Sequence, residues 1–251
     1  MQNQGLNFVK TGAFLAIAAF LTGASVRADP ITVFAASSLR DATEALSTQF
    51  EDTYGQNVVL VFAATSAVAR QLSQGAPADV VLLADQEWGD WLVDEQVVEA
   101  IVPFAGNRLV IAGLDSTGFD VSDLAQTLGD DVLAMAQVNA VPAGRYGKAA
   151  LETAGLWQTL FPQIVQAANV RAALRFVEQG EAPFGIGYAS DLVALPTLTE
   201  VYRFAPDSHP SIVYVSAQAT PEGGDFMSFL QSDAAQSTLQ DWGFTPRADL
   251  N

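Results

Sequence analysis

Between residues 31 and 83, short apolar runs alternate with amphipathic stretches, and this alternation leaves few folds open. Ile31-Thr32-Val33-Phe34-Ala35 has the β-branched, continuous apolar character of a buried strand. Ser37-Ser38 follow, and then Leu39, Ala42, Leu46 and Phe50 recur at helical spacing on one face. Tyr54-Gly55 supplies the expected helix stop. Val58-Val59-Leu60-Val61-Phe62 is a second buried strand, and Thr65-Ser66 open a short helix through Gln71 that Gly75-Ala76-Pro77 ends. Asp79-Val80-Val81-Leu82-Leu83 is a third strand. A βαβαβ succession implies parallel strands joined by right-handed crossovers.

The pattern then repeats without repeating the sequence. Residues 86–96 read as a helix whose Trp88, Trp91 and Leu92 are spaced for core packing. A second series starts near Arg108, with Leu109-Val110-Ile111-Ala112 as a strand and a helix from Val121 to Leu128. The stretch from Asp131 to Val138 contains a further strand, and Pro142-Ala143-Gly144 lead into a helix from about Arg145 to Thr153. Asn169 is placed to cap a helix from Val170 to Gln179. Pro183 to Tyr188 is a glycine-spaced strand, Ile212 to Val215 another, and a helix from Phe226 to Trp242 is expected near the end. The fold class is therefore α/β, in two lobes joined by short crossings and flanked by helices. The expected lobes are 29–107 with about 206–251, and 108–205.

Residues 1–28 read as a leader rather than as part of either lobe. Lys10 precedes an apolar run from Ala13 to Leu21, and Val26 and Ala28 fit a signal-peptidase site that leaves Asp29 first. The run is too short for a spanning helix, which needs ~20 apolar residues. A lipid anchor would use a cysteine, and there is none. The expectation is export from the cytoplasm, with the signal peptide removed.

Composition narrows the function. Half the residues are hydrophobic and 16% are charged, so the 251-residue chain can build cores and is not a disordered tail. The formal charge is -17, and the leader takes away only basic residues, Lys10 and Arg27. Nucleic acids and anionic membranes require a basic footprint, so neither is expected as a partner. The missing cysteines exclude disulfides, thiolate nucleophiles and iron–sulfur clusters. One histidine, His209, cannot make a poly-His metal site.

Ligands of open α/β sheets bind outside the carboxyl ends of the strands. After the first strand stand Ser37 and Ser38, and after the second Thr65 and Ser66. Each pair also sits at a helix start, where free N–H groups and the positive dipole end favour an anion. Pro142-Ala143-Gly144 and Asn169-Val170 offer two more helix starts, and Tyr188 ends a strand with a phenolic donor. Taken singly, such Ser and Thr residues are ordinary caps.

The segments Phe34-Ala35-Ala36-Ser37-Ser38-Leu39, Phe62-Ala63-Ala64-Thr65-Ser66, Gly75-Ala76-Pro77-Ala78-Asp79-Val80 and Ala84-Asp85-Gln86-Glu87-Trp88 resemble the periplasmic molybdate-binding proteins of ABC transporters. So do Val141-Pro142-Ala143-Gly144, Asn169-Val170-Arg171, the Gly185 to Asp191 stretch, Asp207-Ser208-His209 and Trp242-Gly243-Phe244-Thr245. The resemblance runs from about Ile31 to Thr245. It implies a type II periplasmic binding fold with a tetrahedral oxyanion between the lobes. The implied ligand residues are Ser38, Thr65, the N–H groups of Ala143 and Val170, and the Tyr188 phenol. All five would contact molybdenum only through its oxygens, without direct ligation. Thr65 stands where the family usually has Ser, which leaves open whether Thr65 or Ser66 donates. The implied ligand is molybdate or tungstate, with no cofactor, and the implied partner is the membrane permease of an ABC importer. A monomer is expected.

The competing readings are a binder of sulfate or of a small carboxylate, and an enzyme. An enzyme would need a base beside Ser38, and the surroundings of Ser38 are not a Gly-x-Ser-x-Gly elbow. Asp85 and Glu87 read as capping and dipole partners at a helix start rather than a metal pair. Arg145 and Arg171 read as partners of surface carboxylates rather than as anion-steering groups.

Overall fold

A computed structural model of the chain describes residues 1–2, 29–115 and 117–250; residues 3–28, which carry the expected leader, lie outside them. β1 (Ile31–Ala36) ends in a single 3-10 turn over Ser37–Leu39 and continues as α1 (Arg40–Tyr54). Gly55, at φ 70°, closes α1 in the left-handed conformation that only glycine adopts freely. β2 (Val58–Ala63), α2 (Thr65–Ser73), β3 (Val80–Leu83), α3 (Gln86–Asp94) and β4 (Val102–Gly106) follow. The chain then crosses through Asn107 and Arg108 into β5 (Leu109–Gly113). Next come α4 (Leu124–Leu128), β6 (Leu133–Ala136), α5 (Pro142–Thr153), α6 (Trp157–Leu160) and β7 (Ile164–Ala167). α7 (Val170–Glu178), β8 (Phe184–Tyr188), α8 (Ala189–Ala194) and β9 (Thr199–Arg203) complete that series. The chain returns in β10 (Val213–Gln218), α9 (Gly224–Leu230), α10 (Asp233–Asp241) and β11 (Thr245–Pro246).

The strands form two sheets, in the orders β11-β4-β10-β3-β1-β2 and β7-β6-β8-β5-β9. β1 runs parallel to β2 and β3, whereas β10 runs antiparallel to β3 and β4. In the second sheet β6 is parallel to β7 and β8, and β5 is antiparallel to β8 and β9. The fold is thus α/β, with two lobes of mixed sheet.

Side-chain alternation along β1 explains why helices cover both faces of the first sheet. Ile31, Val33 and Ala35 pack with Leu39, Ala42, Leu46 and Phe50 of the α1 side. Phe34 points the other way, into a cluster with Val68, Ala69 and Leu72 of α2 and Leu92 of α3. In the second sheet the glycine spacing of β8 serves α7. A Cβ on Gly185 would come within 2.8 Å of Val177 Cγ2, and one on Gly187 within 2.8 Å of Leu174 Cδ1. The two glycines let the apolar face of α7 settle onto the strand.

Near the end the single expected helix is two. Ser232 is extended (φ -72°, ψ 154°) and its Oγ accepts from Ala235 N–H at 3.2 Å, so α10 begins anew on its own cap. The helix expected from Arg145 begins earlier, at Pro142, because proline at the first helical position has no N–H to leave unpaired. Among the described residues no helix is long and apolar enough to cross a membrane.

Candidate oxyanion site between the lobes

Strand register brings the candidate residues together. Ala36 lies opposite Ala63 and Ala35 opposite Leu82, so β1, β2 and β3 end level. Ser37-Ser38, Thr65 and Ala84 are therefore neighbours. Ala136 lies opposite Ala167, which sets the α5 start beside the α7 start, and β8 ends next to both at Tyr188. One small pocket is lined from the first lobe by Ala36, Ser37, Ser38, Ala64, Thr65 and Ala84. From the second lobe Val141, Pro142, Ala143, Val170 and Tyr188 close it. The five residues singled out in the sequence all stand in this lining, and all five are buried. Ser66 is buried too, but of the two it is Thr65 that lines the pocket.

Each group has a reason to point a hydrogen inward. The N–H groups of Ala143 and Val170 lie in the first turns of α5 and α7, where no carbonyl of the same helix can accept from them. Asn169 caps α7 through Oδ1, which accepts from Ala172 N–H at 2.9 Å. Gly144 allows α5 to start this close to β6: a Cβ there would sit 2.3 Å from Ala136 O and 2.5 Å from Gln137 O. Thr65 Oγ1 accepts from Ala84 N–H at 3.2 Å, which leaves its own proton for the pocket. Ser38 Oγ lies 3.0 Å from Tyr214 Oη.

Tyr188 is the most telling of the set. Its side chain is 1% exposed, yet its Oη has no hydrogen-bond partner among the described residues. Burial, with Tyr214 nearby, holds its pKa well above the ordinary tyrosine value, so it remains a phenol and a donor. A buried hydroxyl left without a partner costs free energy unless something at the site accepts from it.

The lobes are tied together on both sides of the pocket. Arg171 of α7 pairs with Asp41 of α1 at 2.8 Å across the cleft, and its Nε donates to Asp191 Oδ1 at 2.5 Å. Asp191 Oδ2 in turn accepts from Tyr188 N–H at 3.0 Å, which fixes the backbone that carries the phenol. Burial raises the Asp191 pKa, and Arg171 opposes that shift. On the other side Arg145 of α5 pairs with Asp85 at 3.4 Å and with Glu87. Tyr146 Oη donates to Asp85 at 3.3 Å, and Trp88 Nε1 donates to Ala140 O at 3.1 Å. Burial likewise raises the Asp85 pKa, against the Trp88 N–H and Arg145.

The expected roles of these charges change accordingly. Asp85 caps α3 as anticipated, its Oδ1 accepting from Trp88 N–H at 2.9 Å, but it also bridges the lobes. Arg145 and Arg171 do pair with carboxylates, but between lobes and partly buried rather than on an open surface. Trp88 packs edge-to-face on Trp91, as core spacing predicted, and in addition reaches the opposite lobe. Sequence reasoning missed Tyr214 and Asn107, which stand behind Ser38. Asn107 Nδ2 lies 3.3 Å from Tyr214 Oη and donates to Ser190 Oγ at 2.8 Å. Neither carries a local signal, since Ser38 and Tyr214 are 176 residues apart.

Two α/β lobes closing helix starts, hydroxyls and a phenol over one buried pocket define a two-lobed solute-binding protein. Residues 31–245 match the bacterial extracellular solute-binding protein family, and the chain belongs to that family. It is a solute-binding protein and not an enzyme. Among its relatives is the molybdate-binding protein ModA of Escherichia coli, 38% identical over 229 residues, 86% of this chain and 88% of the relative. The molybdate-binding protein ModA of Haemophilus influenzae is 32% identical over 254 residues, 96% of this chain and 99% of the relative. The periplasmic molybdate-binding protein of Azotobacter vinelandii shares the fold, with a TM-score of 0.78 at 21% identity over 86% of this chain and 98% of its own.

Proposed function

We propose that this protein binds molybdate, and tungstate equally well, and hands it to the permease of an ABC importer. It does so as a monomer, in the periplasm, after removal of residues 1–28. The proposed lobes are 29–107 with 206–251, and 108–205. The ion is held as a four-oxygen dianion by the hydroxyls of Ser38 and Thr65, the N–H groups of Ala143 and Val170, and the phenol of Tyr188. The single observation that carries this reading is the buried Tyr188 hydroxyl, without a partner among the described residues, in a pocket where helix starts from both lobes meet.

The chemistry favours such an ion. A deprotonated dianion offers only acceptors, and the pocket offers donors. Hydrogen phosphate carries a proton that would meet no acceptor there, an unpaired contact that costs binding. Sulfate seeks donors too and is rejected by size. Hydrogen bonds to charged groups contribute about 1.5–3 kcal/mol each. Five of them give on the order of 10 kcal/mol, from which association removes several. A dissociation constant between micromolar and nanomolar follows. The acidic surface does not prevent this, because exposed charges are screened beyond ~8 Å at physiological salt.

Calorimetric titration of the purified protein with molybdate, tungstate, sulfate and phosphate tests the reading. The expected result is tight and similar binding of the first two, weak sulfate and weaker phosphate. Sulfate or a small carboxylate binding more tightly than molybdate would replace this reading with the competing one.

A further inference from the structure

We infer that Asn107 and Tyr214 are positioning residues that force the Ser38 hydroxyl to donate into the pocket, and so make the site select against oxyanions that carry a proton. This inference rests on the functional reading above and adds the residues that enforce its donor-only character.

The direction of the chain of hydrogen bonds follows from counting protons. Asn107 Oδ1 accepts from Arg108 N–H at 2.9 Å and faces Ser190 N–H at 3.5 Å. Two N–H donors on that side fix the amide, so its NH2 group faces Ser190 Oγ at 2.8 Å and Tyr214 Oη at 3.3 Å. Tyr214 Oη, accepting from Asn107, has one proton to give, and the acceptor in reach is Ser38 Oγ at 3.0 Å. Ser38 Oγ, accepting from Tyr214, is left with its own proton, which turns to the pocket it lines. Thr65 reaches the same state in one step through Ala84 N–H.

The relay is built rigidly. Tyr214 is fully buried, and its ring packs edge-to-face against Phe104, Tyr188 and Phe244. Asn107 lies on the crossing between β4 and β5 and holds Ser190 of α8 with the same NH2 group, so the head of the relay touches both lobes. A hydroxyl free to rotate could accept from the proton of hydrogen phosphate as easily as it donates to molybdate. A hydroxyl that accepts from Tyr214 has one lone pair engaged and its proton aimed at the ligand, so it accepts from hydrogen phosphate less readily than it donates to molybdate.

The test compares two dianions, molybdate and hydrogen phosphate, by calorimetry at mildly alkaline pH on the purified protein and two variants. Tyr214→Phe keeps the ring and removes the donor to Ser38. It should lower molybdate affinity roughly 10-fold and shrink the preference for molybdate over hydrogen phosphate by a similar factor. Asn107→Asp places an acceptor at the head of the relay and turns the Tyr214 proton away from Ser38. Because both ligands are dianions, the added charge cancels in the ratio, and the same loss of preference is expected. Adding Ser38→Ala to Tyr214→Phe should cost less than Ser38→Ala alone, since the hydroxyl is already misdirected. An unchanged preference in whichever of the two relay variants folds overturns the relay. Failure of the unsubstituted protein to bind molybdate overturns instead the functional reading beneath it.

Discussion

Removing the hydroxyl of Tyr188 separates a ligand donor from a structural phenol. Tyr188→Phe keeps the ring that packs edge-to-face on Tyr214 and deletes an oxygen with no partner among the described residues. Molybdate affinity should fall by about 10- to 100-fold, the equivalent of one charge-assisted bond. The ligand-free melting temperature should hold or rise, because an unsatisfied buried group has gone. Calorimetry and thermal unfolding on the same preparation check both halves, and a large drop in melting temperature would make Tyr188 structural. At this scale the sequence displayed much of the pocket lining. Ser38, Thr65, Ala143, Val170 and Tyr188 follow strand ends or open helices, so local pattern exposes them. Tyr214 and Asn107 were invisible, because what they do depends on tertiary neighbours and not on their own spacing.

Helix starts are the working elements, and their placement depends on close backbone approach. Gly144 is the tightest case, with Ala136 O and Gln137 O filling the space a methyl would need. Gly144→Ala should destabilise the protein by about 1–3 kcal/mol, the usual cost of forcing volume into a packed site. It should also weaken ligand binding, because the Ala143 N–H moves with α5. Urea unfolding and calorimetry read the two effects, and retained affinity with full stability would mean that α5 can shift freely. The elements that periodicity marked clearly were those with an apolar face, such as α1 and α7. β4 and β7 gave little signal: β4 contains Pro103, and β7 is half-buried at Ile164 and Val165 and exposed at Gln166.

Across the whole molecule, closure and charge are coupled. Arg171 is enclosed between Asp41 and the fully buried Asp191, whereas Arg145 is more exposed and one of its partners, Glu87, lies in solvent. Arg171→Met would strand a buried carboxylate and should cost about 3–5 kcal/mol. Arg145→Met should cost less, and denaturant unfolding of the two variants gives the order. The interlobe pairs were not legible in the sequence, since they join helix starts that lie far apart along the chain.

Tyr146, Tyr188 and Tyr214 set the alkaline limit. Burial raises all three above the ordinary value of 10.0, so the folded state keeps protons that the unfolded chain releases. Stability is therefore full below about pH 10 and falls as the pH rises above it, by about 1.4 kcal/mol per pH unit for each tyrosine. Ultraviolet titration should show these three ionising only as the protein unfolds. Their ionisation in the folded protein near pH 10 would contradict the burial described for them.

The most direct measurement is a crystal structure of the protein grown with molybdate, with the metal located by its anomalous scattering. The account predicts one strong peak in the closed pocket, with oxygens at hydrogen-bond distance from Ser38, Thr65, Tyr188 and the N–H groups of Ala143 and Val170. A peak elsewhere on the chain, or none from crystals that diffract well, would contradict it.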